Sequence, residues 1–162
     1  MSEQNDAINQ LRQLEGSWQG AGRGDYPTIE PFEYEETLQL YCNGVEPMLH
    51  FEQRTWKRPT EPARAEPLHW ESGFLRVVSA FDLEMVNSQN GERVETLRGA
   101  LKQTDSALIV ELDSSLIGND TRLIRTRRRY ELVDQELRYQ IWMATTRNSA
   151  LTPHLEARLA RV

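Results

Sequence analysis

The chain has 162 residues, a formal net charge of −6, 38% hydrophobic and 27% charged residues. That length suits one compact domain spanning residues 1–162, the hydrophobic share suffices for one core, and the acidic balance excludes a generic nucleic-acid surface. No apolar run approaches the roughly 18 residues of a membrane span, and the opening Met1-Ser2-Glu3-Gln4-Asn5-Asp6 lacks the basic and apolar regions of a secretion signal. A cytoplasmic protein without membrane partners is therefore expected, and the single cysteine, Cys42, agrees with a reducing compartment and leaves stability to packing.

In chain order, Asp6 is expected to cap a short helix in which Ile8, Leu11 and Leu14 recur at helical spacing, with Gly16 as its stop. The period then changes to two. Phe32, Tyr34, Leu38 and Leu40 alternate with Glu33, Glu35, Thr37 and Gln39, as a half-buried strand requires. Leu49, Phe51, Gln53 and Thr55 oppose His50, Glu52, Arg54 and Trp56, and similar runs fall near 67–77, 80–88, 92–101, 106–116, 122–132, 136–145 and 154–162. Asn43-Gly44, Asn90-Gly91, Gly118-Asn119-Asp120 and Val133-Asp134-Gln135 separate them as hairpin turns would, and Pro59 to Pro67 reads as a charged surface loop.

About ten short antiparallel strands with no covering helices predict an all-β, up-and-down barrel, because closure removes both sheet edges. Such a wall encloses space, so a small-molecule cavity is expected. Zinc spacings, phosphate-binding loops and nucleophile elbows are missing from the sequence. Gly20-Ala21-Gly22-Arg23-Gly24 follows a tryptophan and opens no helix, which points to close backbone packing rather than a dinucleotide site, and Arg23-Gly24-Asp25 is a chance tripeptide. In the basic run from Arg122 to Arg129, alternation puts Arg125, Arg127 and Arg129 on one solvated face beside acidic partners.

Three histidines remain. His50 sits on the more polar face of its strand and is expected to be exposed, whereas His69 is placed either toward the cavity or bonded to the wall. His154 follows Pro153 where an irregular segment, Thr145 to Ser149, rejoins the barrel rim. Strict alternation groups it with Glu156 and Arg158, opposite Leu155, Ala157 and Leu159, so by spacing it is a partly wet rim histidine, open to a surface role as well as a metal-binding one.

The motif Gly16-Ser17-Trp18-Gln19-Gly20-Ala21-Gly22 (G-x-W-x-G-x-G) is followed by Tyr26-Pro27-Thr28-Ile29 and Pro31-Phe32-Glu33-Tyr34. Gln53-Arg54-Thr55-Trp56, Pro67-Leu68-His69, Glu71-Ser72-Gly73-Phe74, Tyr139 to Thr146 and Pro153-His154-Leu155 come after it in order. This ordered set resembles the nitrobindin family of haem-binding β-barrels. The resemblance implies a barrel of about ten strands with haem b (iron protoporphyrin IX) at one end, its iron held by His154 with an apolar wall opposite. By position Thr28, Leu68, His69, Gln89 and Met143 match cofactor-lining residues, and Cys42 stands where the family commonly has a histidine. The family's chemistry, reversible nitric oxide binding and isomerisation of peroxynitrite to nitrate at ferric iron, would make the metal the Lewis acid, with no protein side chain catalytic in itself. The competing expectation is a non-enzymatic carrier of a fatty acid or other apolar molecule, for which Arg76 and Tyr130 are the nearest candidates to bind a carboxylate, and a haem sensor or chaperone would share the same site. These features leave room for a homodimer.

Overall fold

In the computed structural model, which describes residues 2–58 and 66–162, a helix α1 (Glu3–Leu11) and a single 3-10 turn (Arg12–Leu14) precede ten strands. These are β1 (Gly16–Tyr26), β2 (Ile29–Tyr41), β3 (Met48–Lys57), β4 (Glu66–Ser79) and β5 (Asp82–Gln89), then β6 (Val94–Gln103), β7 (Leu108–Gly118), β8 (Leu123–Val133), β9 (Glu136–Thr145) and β10 (Thr152–Arg161). Each strand pairs antiparallel with the next, and β1 closes the barrel against β10. The expected up-and-down barrel is thus what forms. Of the loop expected from Pro59 to Pro67, residues 59–65 lie outside the described residues, and Glu66 and Pro67 already belong to β4.

The helix cap differs from the expectation. Ser2, not Asp6, is the N-cap: its Oγ accepts from the Asn5 amide at 3.4 Å, and Asp6 lies in the first turn, where its charge complements the helix dipole. Hydrophobic spacing starts too late to show this, because the first turn of α1 is polar and exposed to water. Ala7, Leu11 and Leu14 are buried in the core cluster with Trp18, whose indole nitrogen donates to the Leu14 carbonyl at 2.9 Å. Gln13 bonds Gln103 at the end of β6, Glu15 accepts from the Cys42 amide just past β2, and Arg161 at the end of β10 donates to the Gln13 carbonyl. The helical segment therefore stoppers one end of the barrel. Cys42 is buried beside that stopper and shares its core.

Alternation does not mark β1, because its inward positions 20, 22 and 24 are glycine. The reading of these glycines as close packing is correct. Gly22 pairs with Tyr34 and Gly24 with Phe32 across the β1–β2 seam, and a Cβ there would sit 2.3 Å and 2.2 Å from the respective rings. The bare backbone lets both aromatics lie over β1 and aim into the barrel. At the β8–β9 hairpin, Asp134 and Gln135 adopt φ of 47° and 68°, the paired left-handed conformation of a type I′ turn.

On the outer face Arg125 and Arg127 pair with Asp113 at 2.6 Å and 3.1 Å, and Arg129 pairs with Glu111 at 3.0 Å, so the basic run is a neutralised, solvated face. His50 is half-buried rather than exposed: its Nε2 lies 2.9 Å from Ser72 Oγ, and its ring meets Phe74 edge-on. A large cross-strand neighbour on β4 covers what strand position alone would leave in water.

Candidate functional site

Opposite the helical stopper, the barrel opens between the β1–β2, β5–β6, β7–β8 and β9–β10 turns, and a cavity of about 380 Å³ descends from this mouth. Two β-bulges shape its wall. In β10, Pro153 pairs with Trp142 and Leu155 with Ile141, which leaves His154 as an extra residue, and in β4 Leu68 is extra between the paired Pro67 and His69. A bulge breaks the alternation and re-aims a side chain. Accordingly His154 and Leu155 both line the cavity, as do Leu68 and His69, although neighbours on a regular strand would face opposite ways. This corrects the grouping of His154 with outward Glu156 and Arg158. Extra residues leave no mark in periodicity when they fall at a strand end.

The His154 Nδ1 lies 3.1 Å from the Asp25 carbonyl oxygen, and the ring packs edge-on against Tyr26 at 5.6 Å between centroids. A carbonyl can only accept, so Nδ1 carries the hydrogen and Nε2 keeps a free lone pair. Burial lowers the imidazole pKa despite the bond to Asp25, and the charges of Arg93 and His69 act the same way. The neutral, metal-binding form is therefore favoured. Anchoring one ring nitrogen on a carbonyl is also how metal-bound histidines are oriented.

The mouth combines apolar and charged groups. Phe32, Leu68, Ile141, Met143 and Leu155 supply apolar surface, while Arg93 and Arg122 converge on Asp120 at 2.8 Å and 3.1 Å. Hydrogen bonds from Arg122, then those from Arg93, overcome burial and hold the Asp120 carboxyl well below the usual range.

Deeper in the barrel the wall is polar, which the expectation of an apolar surface facing His154 does not include. Arg128, alternating inward from its solvated neighbours, is 3% exposed and bridges Glu71 at 2.5 Å and Glu95 at 2.8 Å. Thr126 and Gln89 donate to Glu95 at 2.6 Å and 2.9 Å, and His69 Nε2 lies 3.0 Å from Glu71. Burial raises the Glu71 pKa, but the Arg128 charge, together with hydrogen bonds from His69 and Arg128, outweighs it and holds the group at about 2. Among the described residues Glu36 has no cation partner. Burial pushes its carboxyl up to about 7, against hydrogen bonds from Tyr139 and from Gln53, the latter at 2.8 Å. Tyr34 extends this network through a 2.7 Å bond to Tyr139.

Of the residues singled out in sequence, Leu68, His69, Gln89, Met143 and His154 gather around this one cavity. Thr28 lies in an adjoining recess of the mouth, shared with Arg93, Arg122 and Met143. Cys42 is at the other end of the barrel. Arg76 is on the outer face, paired with Glu84 at 2.9 Å, so it is no cavity cation. Sequence reasoning passed over Glu36, Glu71, Glu95, Arg128, Arg93 and Asp120. Their inward phase was legible for Glu71 and Arg128, but a charged residue on an inward face counts against a strand until its partners on distant strands are known.

Fold and site together define a ligand-binding antiparallel β-barrel, stoppered by a helix at one end and carrying at its open end a histidine, His154, whose ring is oriented by a backbone carbonyl. A family model described as the THAP4-like, heme-binding β-barrel domain matches residues 7–161, and the chain belongs to that family, the nitrobindins. It is 36% identical over 152 residues to a protein of Arabidopsis thaliana named as a peroxynitrite isomerase, covering 94% of this chain and 87% of that one. It is also 34% identical over 157 residues to the peroxynitrite isomerase of Nocardia farcinica, covering 95% and 90%. The crystal structure of Rv2717c from M. tuberculosis superposes with a TM-score of 0.85 at 32% identity, covering 96% of this chain and 97% of that one.

Proposed function

We propose that this barrel binds haem b through His154 and acts on nitric oxide and peroxynitrite, isomerising the latter to nitrate. The observation that carries the reading is the β10 bulge, which turns His154 into the mouth and ties its Nδ1 to the Asp25 carbonyl. The donor set fits the cofactor. Among the described residues no cluster of three or more His, Cys, Asp or Glu is placed to hold a bare ion, whereas one neutral imidazole suffices when a porphyrin supplies the remaining equatorial ligands. When bound, the haem supplies a ferric Lewis acid for rearranging peroxynitrite.

The chain's own residues hold, orient and shield. His154 Nε2 would hold the iron, and Leu68, Met143 and Leu155 would offer the apolar surface that excludes water from the cofactor. Thr28, His69 and Gln89 complete the lining at the rim and on the wall across from β10. A cytoplasmic location is supported by the lone free cysteine.

The fatty-acid carrier is the weaker reading. Among the described residues the cavity arginines are already paired, Arg128 on the floor with Glu71 and Glu95, and Arg93 and Arg122 at the mouth with Asp120. Titration of the purified protein with haemin, followed by absorbance beside His154→Ala, tests the choice. A saturable Soret band that the substitution weakens or shifts is expected. No band, or a band indifferent to the substitution, overturns the haem reading.

A further inference from the structure

We propose that His69 is the ligand-facing proton acceptor of the cavity, oriented by Glu71, and that the cavity takes its ligand as a neutral weak acid. This rests on the haem reading above and adds a catalytic residue to it. Strand order supplies the placement. Going round the ten-stranded ring, β4 is four strands from β10 by one path and six by the other, so His69 faces His154 across the mouth, and both line the same cavity.

The hydrogen-bonding pattern defines which atom acts. Glu71 stays charged, because Arg128 grips both of its oxygens, and a carboxylate only accepts. The His69 Nε2 at 3.0 Å from it must therefore carry a hydrogen, and in the neutral ring Nδ1 then holds the lone pair. The side chain remains 33% exposed while Glu71 is 2% exposed, so the imidazole is the accessible member of the pair and the carboxylate its buried anchor. This is the base-and-orienter arrangement used for general base work.

Charge selects the form of the ligand. Behind His69, two carboxylates, Glu71 and Glu95, surround the single guanidinium of Arg128, so that wall is net negative. At the mouth, Asp120 lies between Arg93 and Arg122, and His154 faces from β10. Glu36 lies deeper, within the tyrosine network. At the mouth the two guanidiniums of Arg93 and Arg122 outnumber the Asp120 carboxylate and hold an anion at the rim, whereas the negative wall opposes its advance to His69; a neutral acid can advance and give its proton to Nδ1. For peroxynitrous acid the O–H bond breaks, the proton passes to Nδ1, and the peroxynitrite anion rearranges to nitrate. The proton then leaves through the mouth, so that one HOONO yields one nitrate and one proton.

The test uses haem-loaded protein and two small probes: hydrogen cyanide, a neutral weak acid at pH 7, binding the ferric form, and carbon monoxide, which has no proton, binding the ferrous form. In His69→Leu and His69→Gln, cyanide association is expected to slow by about 10²-fold while carbon monoxide association stays within about twofold. Equal slowing of both probes would mean that His69 only shapes the cavity, and unchanged cyanide kinetics would equally overturn the proposal. An iron-independent readout separates this from failure of the haem reading. In ¹⁵N spectra of the apo-protein, His69 should show a protonated Nε2 and a bare Nδ1, with the pattern disturbed in Glu71→Gln, and the opposite tautomer would overturn the assignment. Absence of a Soret band in the wild type counts against the haem reading, and the spectra then still decide the state of His69.

Discussion

His154 and Asp25 meet across the β1–β10 seam, with the imidazole Nδ1 3.1 Å from the backbone carbonyl oxygen, so the strand that closes the barrel also orients the proposed iron ligand. Because the acceptor is backbone, no substitution at Asp25 removes it directly. The ligand role is better tested by His154→Gly, which vacates the imidazole and leaves the bulge. That variant should bind haemin more than about tenfold more weakly, and millimolar free imidazole should restore the wild-type Soret position. Failure of imidazole to move the band would place the iron ligand elsewhere.

Glu36 and Glu71 impose opposite pH dependences on stability. Glu36 titrates at about 7 in the fold and at an ordinary 4.5 when unfolded, so between these values the native state holds a proton that the unfolded state has lost. Its contribution is complete below 4.5 and declines as pH rises to 7, by up to about 3 kcal/mol. Glu71, depressed to about 2, contributes stability that is present above 4.5 and lost as pH falls toward 2. Urea unfolding of Glu36→Gln should therefore show a flatter profile between pH 4.5 and 7 than the wild type. Parallel profiles would contradict the buried-acid assignment.

Arg128 pairs with the buried Glu71 and Glu95 together. Arg128→Met keeps much of the volume and strands two carboxylates. A loss of about 3–5 kcal/mol at pH 7 is expected, shrinking as pH drops and Glu71, without its cation, takes up a proton. The urea midpoint at pH 7 and pH 4.5 measures both parts, and a loss independent of pH would point to packing instead of charge.

Gly22 lies under the Tyr34 ring, so Gly22→Ala forces the ring out of place and strains its 2.7 Å bond to Tyr139. The expected cost is about 1–3 kcal/mol, seen as a lower thermal midpoint. Gly22→Ala combined with Tyr34→Leu should recover part of it, since the smaller side chain removes the clash.

While the residues expected around the mouth came from the resemblance to the nitrobindin family, the residue pattern alone carried the β2 to β10 alternation, the hairpin turns and the neutralised outer arginines. It misplaced the helix cap by four residues, because Ser2 and the polar first turn give no hydrophobic signal. It also put His154 on the wrong side of β10, since one extra residue between Pro153 and Leu155 reverses the phase beyond it.

Period-two patterning determines a closed antiparallel barrel from the sequence itself, because each strand's facing is a local property that any neighbour can use. Which inward polar residues meet is not local. Glu71, Glu95 and Arg128 come from β4, β6 and β8, and His69 and His154 from β4 and β10, so their encounters depend on strand order, register and two bulges. The tertiary structure alone decided that the cavity has a charged floor and a histidine on each side of its mouth, since only a closed ring brings distant strands to face one another.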